Sequence, residues 1–350
     1  MPRVAGIDPG TLSLDACGLD DGRLYLDATW PTAELLADPR PLLDGLLAAG
    51  PVDLVVGPSG YGLPLRPAHD VSDEELRLAF LAPPGEAGGI GGLRALARRL
   101  DAAGLPLLFT PGVIHLETVP RHRKLNRVDL GTADKVCAAA LAVSDQSDRR
   151  SRPVDAVSLV LLELGGAFTA GLAIEYGRIV DGLGGSSGPI GWRAAGALDG
   201  EVAFLAGEVT KALIFRGGVS SVVEDDPGLG AVALEAYLEG AVRAARRLRA
   251  AAPAADEVLL SGRIAAEPAI RDALGAALAD IGEVRLLSGF AARAKQGAQG
   301  AALLADGLAG GARRGLVERL GIREARGTVL DHLHVISPAA ARRRLGLLDG

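Results

Sequence analysis

The sequence has 350 residues, with 37 Lys and Arg against 43 Asp and Glu and a formal net charge of −6, which allows one large domain or two ordinary ones at roughly 100–200 residues each. Hydrophobic residues make up 49% and charged residues 23%, which excludes disorder as the main state, while the acidic balance argues against a partner rich in nucleic-acid phosphates. Aromatics at 3% exclude a stacking platform for single strands, and 48 glycines without a G-X-Y period point to backbone-built loops rather than collagen.

In chain order, Val4–Asp8, Ser13–Leu19 and Arg23–Thr29 read as three strands. Pro9-Gly10-Thr11 and Asp20-Asp21-Gly22 punctuate them, the second being a hairpin signal. A helix is expected over Leu35–Ala49, a short buried strand over Val52–Gly57, a helix over Gly92–Ala103 and a strand over Pro106–Thr110. A helix from about Thr132 to Val143 leads into the polar stretch Ser144–Pro153, which reads as a boundary or hinge.

The second half repeats the order. Ala156–Leu164, Thr169–Tyr176 and Arg178–Asp181 read as strands, with a Tyr176-Gly177 turn between the last two. Helices are expected at about Glu201–Leu213 and Leu229–Ala251, the latter with a basic face at Arg243, Arg246, Arg247 and Arg249. Val258–Leu260 (strand), Pro268–Asp280 (helix), Val284–Leu286 (strand) and Ala294–Leu308 (helix) complete the pattern. Two β-β-β-α-β-α units in tandem imply a two-lobed α/β protein, with lobes at 1–150 and 151–350 and a cleft between them. Cys17 and Cys137 form no Cys-x-x-Cys pair and are expected to be buried, reduced thiols. The chain opens on a strand without signal-peptide character, and no run reaches the ~18 apolar residues of a membrane span, so a soluble cytoplasmic protein is expected.

Three turns carry chemistry. Gly6-Ile7-Asp8-Pro9-Gly10-Thr11 ends a buried strand, which places the Asp8 carboxylate at the mouth of a sheet, where it can hold a hydrated divalent cation. Gly10 lets a phosphate approach the backbone, and Thr11 adds a hydroxyl and an N–H to the same anion-binding turn. In the second half, Gly165 and Gly166 allow backbone N–H groups to converge on a phosphate, with Thr169 beginning the next strand. Ser261-Gly262 closes a strand before a helix, a turn that can lie flat against an adenine or ribose.

Two further runs are less specific. The small residues of Ala291–Ala302 read as close helix packing. Pro120–Lys135 is the most polar run in the chain; its basic side chains could hold an anionic substrate, and Asp129 or Asp134 could orient a nucleophile, with Thr132 as a helix cap. Other motifs fail. No G-x-x-x-x-G-K-[ST] is present; the glycines at 228 and 230 follow no strand; Gly184-Gly185-Ser186-Ser187-Gly188 lacks a strand-to-helix elbow; and His332-x-His334 reads as one face of a terminal strand rather than a metal site.

Asp8-x-Gly10-Thr11, then Gly165-Gly166 with Thr169, then Ser261-Gly262, resembles the phosphate-1, phosphate-2 and adenosine motifs of the acetate and sugar kinase, heat-shock chaperone and actin superfamily. Within it, the chain resembles a family labelled predicted butyrate kinases, whose late Gly-Ala helix is similar to Gln296–Ala301 through Gly310-Gly311, while Arg178–Gly182 through Gly188-Pro189 is similar to the segment after phosphate-2 in butyrate kinases. The likeness spans about residues 3–311. It implies two ribonuclease H-like, actin-like ATPase lobes that take ATP and Mg²⁺ in the cleft. Asp8 would organise the metal, Gly10, Thr11, Gly165, Gly166 and Thr169 would cradle phosphates, and Ser261 and Gly262 would face the adenosine. Arg127 and Asp134 are chosen from spacing as further catalytic candidates.

The activity so implied is a kinase acting on a small-molecule acceptor, a short carboxylate such as butyrate being the leading one, with no nucleic-acid or membrane partner and a homodimer left open. The alternatives are a nucleotide-gated switch without an acceptor and a nuclease of the Holliday-junction resolvase type, whose first motif Gly6–Thr11 also resembles.

Overall fold

The computed structural model describes residues 2–10, 12–58, 60–82 and 90–348. The chain begins with an antiparallel meander of β1 (Arg3–Pro9), β2 (Ser13–Asp20) and β3 (Arg23–Pro31). Asp21 and Gly22, both at positive φ, make the expected tight hairpin between β2 and β3. Then come α1 (Thr32–Ala37), α2 (Arg40–Leu47), β4 (Leu54–Pro58), β5 (Arg66–Pro67), α3 (Asp73–Phe80), α4 (Ile90–Ala102), β6 (Leu107–Thr110), α5 (Arg121–Lys124) and α6 (Ala133–Arg150). The middle of the chain adds β7 (Leu159–Leu164), β8 (Thr169–Glu175), β9 (Arg178–Leu183), α7 (Gly200–Ala206), α8 (Lys211–Ile214), α9 (Val219–Asp225), α10 (Gly230–Ala251), β10 (Glu257–Ser261), α11 (Pro268–Ala277) and β11 (Glu283–Leu286). It ends with α12 (Gln296–Leu308), α13 (Arg314–Leu320) and α14 (Pro338–Arg344).

Two sheets result, in the orders β3-β2-β1-β4-β6-β5 and β11-β10-β7-β8-β9. In each, a three-stranded antiparallel meander continues through its first strand into two parallel neighbours. The edge strand β5 aside, the two sheets share one topology, so the duplication expected from the element order is present and the fold is α/β with two ribonuclease H-like lobes. The first core packs Ala5, Ile7, Val55 and Phe109 of the sheet against Leu46 and Leu100. The second packs Val160, Leu162 and Leu260 against Tyr237, Leu248 and Leu274. Both cysteines are buried and unbridged. No helix among the described residues is long and apolar enough to cross a membrane.

The chain divides into two units, one of Met1–Val128, Thr132–Val154 and Ser288–Gly350, the other of Asp129–Gly131 and Asp155–Leu287. The first boundary falls close to residue 150. The C-terminus differs from the expected 151–350 lobe, because residues from Ser288 onward return to the first unit. The reason is backbone contact. A Cβ on Gly6 of β1 would lie 2.2 Å from the Ala302 nitrogen of α12, and one on Gly300 of α12 would lie 1.7 Å from the Cys137 carbonyl oxygen of α6. The small residues of α12 are thus the packing surface that their pattern suggested, and Gly297 through Gly307 are all buried.

Other differences have local causes. The helix expected over Leu35–Ala49 is split at Asp38, which precedes Pro39 and is extended (φ −140°, ψ 106°), as a residue before proline prefers. The one expected over Glu201–Leu213 is split at Gly207, whose φ of 71° ends α7. The polar stretch after Val143 is not a hinge: α6 runs through it to Arg150, burying Ser144 and Gln146, and stops at left-handed Ser151. Helix α3 escaped the periodicity reading, although Ser72-Asp73-Glu74-Glu75 forms a complete capping box at its start.

If α12 is held by backbone contact, Gly300→Ala lowers the melting temperature by roughly 5–10 °C or abolishes soluble expression. Gly275→Ala in α11, whose Cβ meets nothing within 4 Å, leaves stability unchanged or raises it by up to about 1 kcal/mol. Thermal denaturation of the two variants checks the contrast.

Candidate functional site

In the first unit the site follows from strand alternation. Gly6 and Asp8 lie on one face of β1, and the antiparallel register sets Cys17 opposite Gly6 and Asp15 opposite Asp8. Because Gly6 admits the α12 backbone, the first turn of α12 is carried to the end of β1. There a Cβ on Gly297 would lie 2.4 Å from Asp8 Oδ2. The Asp8 carboxylate therefore rests against the N-terminal turn of a 13-residue helix, where the helix dipole favours negative charge.

Asp134 joins this site from the first turn of α6. Thr132 occupies the N-cap position as expected, but its hydroxyl donates to Asp134 Oδ1 instead of accepting a backbone N–H, and Lys135 Nζ donates to Asp134 Oδ2. Burial and the nearby Asp134 charge push the Asp8 carboxyl up to about 7, against the opposing pull of Lys135 and Lys295. Burial also works against the Asp134 charge, yet Lys135 and the Thr132 hydroxyl outweigh it and hold that carboxyl below its ordinary range. The result is one ionised and one readily protonated carboxylate in a shared environment.

The β1–β2 turn completes the site in this unit. Gly10 N–H donates to the Ser13 carbonyl at 3.0 Å, and a Cβ on Gly10 would lie 2.8 Å from that same oxygen. Thr11, expected to bind phosphate, lies outside the described residues. Lys295 Nζ reaches over this turn, pairing with Asp15 Oδ2 at 3.0 Å and donating to Ser13 Oγ. Lys295, Lys135 and Asp15 were not singled out from the sequence. The pairing of Asp15 with Asp8 was available from the hairpin register, whereas Lys295 sits in a small-residue run that signalled only packing.

The polar run Pro120–Lys135 divides among several tasks. Lys124 is buried and donates to the Leu116 carbonyl at 2.8 Å. Asn126, at φ 55°, accepts the backbone N–H groups of His334 and Val335, so the His332-x-His334 segment is a tethered loop and not a strand. Arg127 is half-buried, its N–H donates to the Lys124 carbonyl, and its side chain pairs with no acidic group among the described residues. Among the described residues it is not one of the charges that act on Asp8. Asp129 belongs to the second unit, where it accepts from Ser186 N–H and Ser186 Oγ, both at 2.9 Å, and shapes the Gly184–Gly188 loop. In the structure its carboxylate is thus engaged by the loop.

In the second unit, β7 and β10 are parallel neighbours with Glu163 opposite Ser261, so the Gly165-Gly166 and Gly262 turns leave the sheet side by side. Gly262 has a φ of 88°, and a Cβ there would lie 2.5 Å from the Leu164 carbonyl oxygen. Only glycine fits, on both grounds. Gly166 is exposed, with open space where a Cβ would be, so its backbone is free to meet a ligand. Ser261 Oγ is buried at the same strand end without a hydrogen-bond partner. Thr169 departs from expectation: it is fully buried and its hydroxyl stands beside that of Tyr237 in the core, not on the turn.

Among the described residues no three His, Cys, Asp or Glu side chains form a metal cluster. Mg²⁺ does not require one, since it is commonly held by one or two carboxylates together with water and substrate phosphates. Asp8 and Asp134 fit that description.

The chain belongs to the family described as protein of unknown function (DUF1464), whose model matches residues 6–335. No curated protein matches it. Among solved structures it is similar to a propionate kinase from Francisella tularensis, at 12% identity and a TM-score of 0.60, over 86% of this chain and 99% of that one. It is likewise similar to acetate kinases from Entamoeba histolytica (11% identity, TM-score 0.55, 78% and 85% of the two chains) and Porphyromonas gingivalis (14%, 0.53, 79% and 86%). At such identities the similarity establishes a shared fold.

The raised Asp8 carboxyl sets a sign for stability. Folding favours its protonated form, so its contribution is full below about pH 4 and is lost as pH rises towards about 7. Asp8→Asn, which removes the buried charge, is expected to melt higher than the wild type at pH 8, with the gap closing as pH falls to 4. Melting curves across that range test it, and a gap independent of pH would refute the assignment.

Proposed function

We propose that this member of the family is an ATP-dependent phosphotransferase that moves the terminal phosphoryl group to a small-molecule acceptor, a short-chain carboxylate such as butyrate being the leading candidate. The observation that carries the reading is the Asp8–Asp134 pair, set between a glycine turn and a helix N-terminus at the end of β1. Buried carboxylates whose ionisation is perturbed cluster where a cation or proton is handled. The shared fold with propionate and acetate kinases over most of this chain supports the acceptor class.

In this reading Asp8 and Asp134 hold Mg²⁺, which when bound supplies positive charge to the phosphate oxygens. Gly10 keeps a side chain off the tight β1–β2 turn, and Gly166, with open space around it, offers its backbone to a phosphate, while the Gly165 N–H closes the turn by donating to the Phe168 carbonyl at 3.0 Å. Gly262 gives the adenosine a flat surface, and the buried Ser261 hydroxyl supplies a hydrogen bond beside it. A carboxylate acceptor is already ionised at pH 7, so no strong base is needed. Catalysis then consists of alignment and charge stabilisation.

The test is ADP release by the purified protein with Mg·ATP against acetate, propionate, butyrate, several sugars and no acceptor. We expect turnover with a short carboxylate, falling at least about 100-fold in Asp8→Ala and Asp134→Ala. ATP binding without acceptor-dependent turnover would overturn the kinase reading in favour of a nucleotide-gated switch.

A further inference from the structure

We infer that Lys295 is the cation that contacts the transferred phosphoryl group, delivered to the β1–β2 turn by the C-terminal segment. This rests on the phosphotransferase reading above, in which the cations near Asp8 are Lys135, which pairs with Asp134, and Lys295.

The position is the first argument. Lys295 is the N-cap residue of α12, and its Nζ lies 3.4 Å from the point a Cβ on Gly10 would occupy. The ammonium therefore lies against Gly10, where the turn closes tightly onto the Ser13 carbonyl and admits no side chain. Hydrogen-bond capacity is the second. An ammonium has three donors; Ser13 Oγ and Asp15 Oδ2 take two, and the side chain remains half exposed, leaving a donor for an incoming oxygen.

The third argument is the effort spent on placing it. Asp15 is only 1% exposed and anchors Lys295 twice, through Nζ and through the backbone N–H at 3.4 Å to Oδ1. The approach to Lys295 is clamped as well. Asp27 accepts the backbone N–H groups of Ala292, Arg293 and Ala294, and these bonds outweigh its burial to hold its carboxyl below the ordinary range. Gln299 accepts from Phe290 and Ala291 and donates to the Ala294 carbonyl at 2.6 Å. Five consecutive backbone N–H groups, from Phe290 to Ala294, are thus tied down immediately before Lys295. A lysine serving only to neutralise Asp15 would not require its approach to be fixed in this way.

Binding separates the two roles without relying on turnover. Lys295→Met is expected to weaken Mg·ATP at least 10-fold while leaving Mg·ADP and adenosine largely unchanged, and to lower kcat at least 100-fold; Lys295→Arg should recover part of both. The Asp15→Asn/Lys295→Met double variant removes the buried charge together with its partner. It should regain wild-type melting behaviour yet keep the nucleotide defect. Wild-type affinity for Mg·ATP in a folded Lys295→Met protein would reduce Lys295 to a structural ion pair and overturn the inference. A wild-type protein that binds no ATP at all would instead sink the phosphotransferase reading itself.

Discussion

The contact on which most else depends is the passage of α12 across β1 and α6 at backbone distance. Gly6 and Gly300 make it possible, because a methyl group at either position would fall within 2.2 Å of main-chain atoms. A helix this close has consequences at its end as well as its middle. Its first turn lands on the Asp8 carboxylate, and its N-cap residue lands beside Asp15. The close packing and the chemistry of the site are one arrangement: a helix held further from the strand would bring neither its dipole nor Lys295 to the β1–β2 turn.

That arrangement also explains which parts of the site were legible in sequence. Asp8, Gly10 and the Gly165-Gly166 turn could be recognised because each is a local event, a carboxylate or glycine placed where an apolar strand stops. Gly262 was visible for the same reason, although the cause of its necessity, the Leu164 carbonyl 2.5 Å from its Cβ position, belongs to a neighbouring strand. Asp134 was reached from spacing, and it does join Asp8. Arg127 was chosen by the same argument and does not, since a position in a polar run carries no information about which helix end or turn lies nearby. Lys295 was hidden more thoroughly. It is 285 residues from Gly10 in sequence, and its surroundings read as packing until the helix is seen to lie on β1.

The fold divides in the same manner. Alternation, turn residues and apolar runs revealed both meanders and the succession of strands along the chain, β5 aside, because these are short-range signals repeated ten times. The helix breaks at Asp38 and Gly207 were written in a proline and a glycine that the apolar spacing outweighed. The return of residues 288–350 to the first unit is a long-range choice, decided by glycine-to-backbone fit. Composition cannot express it, since a small-residue helix could have lain against either sheet.

Electrostatics gives the site its direction. Asp8 and Asp15 face each other across the β1–β2 ladder, an arrangement that like charges normally destabilise. Lys295 answers Asp15, and Lys135 and Thr132 answer Asp134. Asp8 alone has no dedicated cation, and it is the carboxyl pushed up towards neutrality. A protein seeking only stability would replace such a residue with an amide. Keeping it makes sense where a cation arriving with the substrate completes the balance, so that ligand binding and ionisation of Asp8 favour each other. On the proposed phosphotransferase reading, the charge left unanswered in the free protein is the feature through which a nucleotide would be recognised, and its cost in stability is the counterpart of that use.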